Sequence, residues 1–137
     1  MTFARFTIAY WCVLFAAILP IVCAGIAKSG MLTTAPAKGG YDNSNPRSWL
    51  ARQSDWRSRA NAAQANTFEA LPFFFAAVII AHMLQAPQTL LDILALIFIM
   101  LRIAYIIMYV SDLAKARSII WTLALLVNIA ILFSGYR

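Results

Sequence analysis

The chain has 137 residues, is 63% hydrophobic and 12% charged, and carries a formal net charge of +6. Soluble domains average about 45–50% apolar and about 25% charged residues, so the composition excludes an ordinary soluble domain and points to an integral membrane protein. A nucleic-acid partner is not expected, for want of a soluble basic face with interleaved aromatics. Nor is a metal centre, since His82 is the lone histidine and no Cys-x-x-Cys occurs.

Four long apolar stretches organise the chain into a single domain spanning residues 1–137. Each approaches the roughly 20 residues that cross about 30 Å of hydrocarbon as a helix. Backbone groups in lipid must pair within their own segment, and none of the stretches alternates as an outer-membrane strand does. The first, "FTIAYWCVLFAAILPIVCAGIA", covers residues 6–27. Its run exceeds the roughly 7–15 apolar residues of a signal peptide, and only Arg5 precedes it, so it reads as a retained span. Cys12 and Cys23 lie about 16 Å apart along a helix, too far for a mutual disulfide, and read as packing residues. Pro20 frees the carbonyl of Ala16 and predicts a bend.

The long connection, residues 28–55, contains "KSGMLTTAPAKGGYDNSNPRSW", a composition of turns rather than helix. Ser54 or Asp55 is the expected N-cap of a second helix that begins near Trp56 and spans the membrane over residues 58–84. Its early turns bring in Arg57 and Arg59, and Pro72 frees the carbonyl of Phe68 just past Glu69. The "QAPQ" connection is short, so the third span, residues 89–110, runs antiparallel beside the second. The equally short turn around Lys115 places the fourth span, residues 117–136, beside the third. Tyr10, Trp11, Trp121 and Tyr136 fall near span ends, as in an aromatic belt, while Trp49 and Trp56 are placed to anchor the long loop. His82 reads as a packed or interfacial residue, and Asp92 as a cap of the third helix or an outward snorkel.

Charge placement predicts orientation. Lys28, Lys38, Arg47, Arg52, Arg57 and Arg59 belong to the first connection and its helix entry, and Lys115 and Arg117 to the third. The opposite side has only Arg5 and Arg137. Loops one and three are therefore expected in the cytoplasm and both termini outside, in a multi-pass protein of a bacterial inner membrane.

Polar residues inside the spans carry the functional signal. Asn66 and Glu69 are neighbours at i and i+3, and Arg59 lies two turns below on nearly the same face. Arg102, Tyr105 and Tyr109 share a face of the third span. A charge at a helix centre costs on the order of 2.5–3.5 kcal/mol on insertion scales, so Glu69 and Arg102 are expected to face inward and pair with each other. Read structurally, this is one buried ion pair, with Asn66 and Asn128 as interhelical glue. Read functionally, it is a polar cavity for a zwitterion with excess negative charge, carboxylates to the arginines and ammonium to the glutamate. Arg117, next to Ser118, stands where a cation could face a thiolate.

"RANAAQANTFEALP" resembles the second-helix signature of the MAPEG superfamily, membrane-associated proteins in eicosanoid and glutathione metabolism. "LPIVCAGIAKSG" and "YDNSNPRSWLAR" look like its bacterial branch, and "RIAYIIMY" like the third-helix pattern of eukaryotic members. The likeness covers nearly the whole chain. It implies an all-α membrane protein, a four-helix bundle assembled as a homotrimer, with glutathione as co-substrate bound between helices of adjacent subunits at the cytoplasmic side. By that likeness Asn66, Glu69, Arg102, Tyr105 and Tyr109 fall on glutathione-contact positions, joined by Arg59 from the same helix face, and Arg117 matches the thiol-activating arginine. Where eukaryotic members carry an arginine four residues before the motif's asparagine, this chain has Ala62. The expected activity is a glutathione-dependent transferase or peroxidase acting on lipophilic molecules that arrive from the bilayer. The alternatives are a non-catalytic lipid-binding or scaffold trimer of the same fold, and a small transporter, for which repeated halves or paired broken helices are lacking.

Overall fold

The computed structural model describes residues 6–136, in which five α-helices occur and no strand. Arg5 and Arg137, which enter the orientation argument, lie outside the described residues. The helices are α1 (Ile8–Lys28), α2 (Pro46–Ala51), α3 (Trp56–Met83), α4 (Gln88–Val110) and α5 (Ala114–Phe133). All but α2 are long and apolar enough to cross a membrane, and the protein is an all-α integral membrane bundle.

α4 packs against α3 and α5, the neighbours that the short connections predict, yet the most extensive interface joins α1 to α3 across the long loop. Small residues explain how closely the helices approach. Ala9, Ala16, Ala63, Ala77, Ala81, Ala95 and Ala124 are all buried. Lipid tails are as apolar as a side chain, so packing and interhelical hydrogen bonds, rather than water exclusion, hold such helices together. Larger side chains fill the remaining space, with Phe74 of α3 stacked on Phe98 of α4 at 4.2 Å between ring centroids. The outward residues Ile119, Leu123, Leu126 and Phe133 of α5 stay exposed, as a lipid-facing surface requires.

The ends of α3 and α4 carry no glycine, yet both close in the same way. Gln85 (φ 55°) and Asp112 (φ 62°) take the left-handed conformation. The amide of Ala86 then reaches the carbonyl of Ala81, and that of Leu113 the carbonyl of Met108. Each is a Schellman ending that satisfies otherwise orphaned carbonyls. α3 starts at its expected cap: Asp55 Oδ1 accepts from the Arg57 amide at 2.9 Å. That hydrogen bond, helped by the Arg57 guanidinium, holds the Asp55 carboxyl below the usual carboxylate range.

The long connection departs from the expectation of turns alone. Pro36–Lys38 form a 3-10 turn, closed by Gly39 in the left-handed conformation, and Pro46–Ala51 form α2. Proline suits the first turn of a helix, where an amide has no partner in any case, and nothing in the following Arg-Ser-Trp-Leu-Ala breaks it. Trp49 is buried by the fold of the loop, donating to the Gly39 carbonyl at 3.2 Å and meeting Tyr41 edge-on. Lys28 lies over the other partner of that pair, the Tyr41 ring. Arg57 ties the loop end of α1 to α3 by donating to the Ser29 carbonyl at 3.0 Å.

At the opposite end Asp92 caps α1 rather than its own helix. Its Oδ1 accepts from the Ala9 amide at 2.9 Å and from Gln88 at 2.8 Å. The reason is proximity: α1 begins beside the first turns of α4, and the first amides of a helix have no partner within it. His82 is a packed residue, bridging Thr7 and the Val78 carbonyl and stacking on Tyr10 at 4.0 Å. Asp92→Ala is expected to destabilise the bundle by about 1–3 kcal/mol, since it orphans a buried amide, and Asp92→Asn, which keeps an acceptor, by less. Thermal unfolding of both variants in one detergent measures the difference.

Candidate functional site

Two adjoining cavities open, one where α3, α4 and α5 meet and one between α4 and α5. The first, about 160 Å³, is lined by Asn66, Glu69, Ala70, Phe73, Arg102, Trp121, Ala124, Leu125 and Asn128. The second, about 270 Å³, is lined by Tyr105, Tyr109, Arg117, Ser118, Trp121 and Thr122. Trp121 belongs to both. Expected in an interfacial belt, it is 42% exposed and also contributes to the lining of the two cavities.

Arg102 organises the first cavity. The residue is 2% exposed, and its Nη2 donates to Asn66 Oδ1 at 3.1 Å and to Thr67 Oγ1 at 3.0 Å. Thr67 in turn donates to the Ala63 carbonyl at 2.7 Å. The expected direct pair between Arg102 and Glu69 does not form; the only ion pair among the described residues is Arg57–Asp55. Helix geometry gives the reason. At about 100° per residue, Glu69 lies nearly opposite Thr67, the residue that faces α4 most directly, with Asn66 between them. The amide therefore bridges the charges, accepting from Arg102 and donating from Nδ2 to Glu69 Oε2 at 3.4 Å. Glu69 stands exposed at the cavity rim.

The second cavity continues from the first by an alternation of cations and rings. The Arg102 guanidinium lies over the Tyr105 ring at 4.3 Å, Tyr105 meets Tyr109 edge-on at 5.6 Å, and the Arg117 guanidinium lies over Tyr109 at 4.3 Å. A cation held on an aromatic face keeps its hydrogen-bonding edges free for a ligand. The structure thus brings Asn66, Glu69 and Arg102 to the first cavity and Tyr105, Tyr109 and Arg117 to the second, adjoining one.

Arg59 does not join them. Its Nε donates to the Val110 carbonyl at 3.0 Å, so it caps the last turn of α4, where unpaired carbonyls and the helix dipole attract a cation. It lines neither cavity. Thr67 and Thr122 escape sequence reading, whereas Asn128, read as interhelical glue, is buried. For Thr67 a signal exists: the Ala63–Thr67–Leu71 spacing marks the face that α3 turns to its neighbours. Cys12 and Cys23 are free and buried in α1, and among the described residues no cluster of metal-ligating side chains occurs.

Searches among curated proteins and among solved structures return no match for this chain. Residues 8–136 match the model of the MAPEG family. With nearly the whole length matched and four long apolar helices in place, the chain belongs to the MAPEG family.

Proposed function

We propose that the protein is a glutathione-dependent membrane transferase or peroxidase acting on lipophilic electrophiles, and that it works as a homotrimer. Family membership supports a membrane role in glutathione-related or eicosanoid metabolism. The observation that carries the finer reading is the pair of adjoining cavities with a guanidinium at each, Arg102 and Arg117, and a carboxylate at the rim of the first, Glu69. Glutathione has two carboxylates, one ammonium and a thiol. A carboxylate suits Arg102, the ammonium suits Glu69 and its Asn66 neighbour, and the thiol suits Arg117. A thiol beside Arg117 loses its proton more readily, which raises the fraction of nucleophilic thiolate. In conjugation the sulfur forms a bond to the electrophilic carbon, and the leaving group departs with its electron pair. Tyr105 and Tyr109 hold the two guanidiniums in place from below.

The trimer rests on a cost argument. Glu69, near the middle of α3, is exposed on the single chain and has only the long contact with Asn66. A carboxylate does not face acyl chains without penalty, and a neighbouring copy would cover that rim. The cations of the long loop and of the α4–α5 turn favour a cytoplasmic position for the end that holds Arg117. One observation favours the alternative, a lipid-binding trimer without catalysis: Ala62 stands where a further cation is expected, and Arg59 is committed to the end of α4.

Titration of the detergent-purified protein with glutathione separates the two. The enzyme reading expects saturable binding, growth of thiolate absorbance and turnover of an electrophilic aryl halide. No binding at millimolar glutathione rejects it in favour of the lipid-binding trimer.

A further inference from the structure

The short helix α2 and the first turns of α3 border a third cavity, of about 470 Å³, that shares no residue with the other two. Its polar lining is Arg47 of α2 with Ser58, Asn61 and Gln64 of α3, and no acidic residue lines it. Arg47 is exposed and makes no ion pair among the described residues. None of the four side chains is engaged in a hydrogen bond among the described residues. Their donors and acceptors are therefore open to a ligand.

Depth in the membrane narrows the ligand. α3 has 28 residues and ends at Met83. About 20 helical residues cross the hydrocarbon, so counting back from Met83 puts the near edge of the hydrocarbon close to Ala63. Ser58 and Asn61 then lie at headgroup level, Gln64 at the boundary and Phe68 below it. From the cavity downward the exposed face of α3 runs on as Ala65, Phe68, Pro72 and Ala76, all apolar. These residues cover about 16 Å of helix, the depth of one leaflet. A polar recess at headgroup level above an apolar track one leaflet long matches the two parts of a membrane lipid.

The lining also selects among lipids. A guanidinium favours a phosphate that carries net negative charge, and the lack of a lining carboxylate leaves a terminal ammonium without a counterion. The hydroxyl and the two amides each donate and accept, which suits hydroxyl groups on the head. The basic connections favour the cytoplasmic surface for this end, where anionic lipids give the leaflet its negative potential. We propose that this cavity is a binding site for an anionic phospholipid with a hydroxylated headgroup. The phosphate rests on Arg47, the headgroup hydroxyls on Asn61 and Gln64, and one acyl chain along Phe68 and Pro72. The site is built without any thiol, so it stands or falls separately from the glutathione reading.

Native mass spectrometry of the detergent-solubilised full chain, with phosphatidylglycerol and phosphatidylcholine of identical chains, measures the selection. The wild type is expected to prefer phosphatidylglycerol by about fivefold, the contribution of one arginine near an anionic surface, and Arg47→Gln to lose that preference. Arg52→Gln removes a cation of the same loop that does not line the cavity, and is expected to keep it. Ala65→Trp leaves Arg47 in place but fills the recess, and is expected to lose the preference; Ala65 is exposed, so the bundle does not depend on it. Inorganic phosphate is expected not to displace the lipid, because it has no chain to lay on α3. A preference that survives Arg47→Gln or Ala65→Trp overturns the proposal, and so does an equal loss in Arg52→Gln, which would mean general charge attraction. Displacement by phosphate overturns it in favour of a plain anion site. A wild type without any preference also overturns it, as when a second copy of the chain covers this face.

Discussion

Arg102→Met is expected to weaken glutathione binding by a factor of about 10 to 100 while changing the stability of the bundle by no more than about 1 kcal/mol. The two halves of that expectation have different causes. Burying a guanidinium carries a desolvation penalty that its hydrogen bonds only partly repay, and a well-packed apolar side chain of similar volume often does as well. The groups left behind are not stranded: Thr67 keeps its bond to the Ala63 carbonyl, and Asn66 opens onto the cavity. The ligand has no such substitute. Its carboxylate loses the only guanidinium in the first cavity, and Glu69, relieved of the opposing charge, repels it. Calorimetric titration beside thermal unfolding in the same detergent reads both numbers. Unchanged affinity would reduce Arg102 to a packing element. Arg102→Lys is expected to fall between, because a point charge lacks the planar fork that serves Asn66 and Thr67 together.

Arg117→Ala addresses the chemistry instead of the grip. It is expected to lower kcat for an aryl halide by about a hundredfold, with a smaller change in KM, in line with the loss of one preorganised electrostatic contact. The sign of the pH effect follows from the charge. A cation beside the thiol lowers its pKa, so in the wild type the rate climbs at lower pH than free thiol chemistry allows. Without Arg117 the rising limb moves upward, toward about 8.5. A limb that stays in place would show that Arg117 does not face the sulfur. The Tyr109 ring beneath the guanidinium offers a further comparison. Tyr109→Phe keeps the platform and should retain the low limb, whereas Tyr109→Leu removes it and should lose part of the shift.

The spans and most of the residues at the two cavities are legible in the sequence, because both rest on signals that run along the chain. Apolar length marks a crossing, and Arg102 within it turns inward as expected, whereas Glu69 stays exposed at the cavity rim. Asp55 is legible as a cap from its place before the first helical turn. What escapes is the partner of each inward group. Arg102 and Glu69 have opposite charges on adjoining helices and invite pairing, yet the angular position of Thr67 puts a hydroxyl and an amide nearer to the guanidinium. Arg59 shares a helix face with Asn66, but a long side chain reaches two turns' worth of neighbours, and the carbonyl of Val110 lies closer than the groove. Asp92 likewise serves the start of α1, which no local pattern reveals. The left-handed endings at Gln85 and Asp112 are hidden for another reason: neither residue is the glycine by which such endings are normally read.

Trp121 lines both cavities. A side chain shared in this way cannot be private to either side. A guest that presses on the ring from one cavity changes the room available in the other, so the occupancies of the two compartments are thermodynamically linked, each altering the other's affinity by the same factor. Evolution of the pocket under such a constraint proceeds by paired changes: a larger guest in one cavity calls for a smaller one in the other, or for a different residue in place of Trp121.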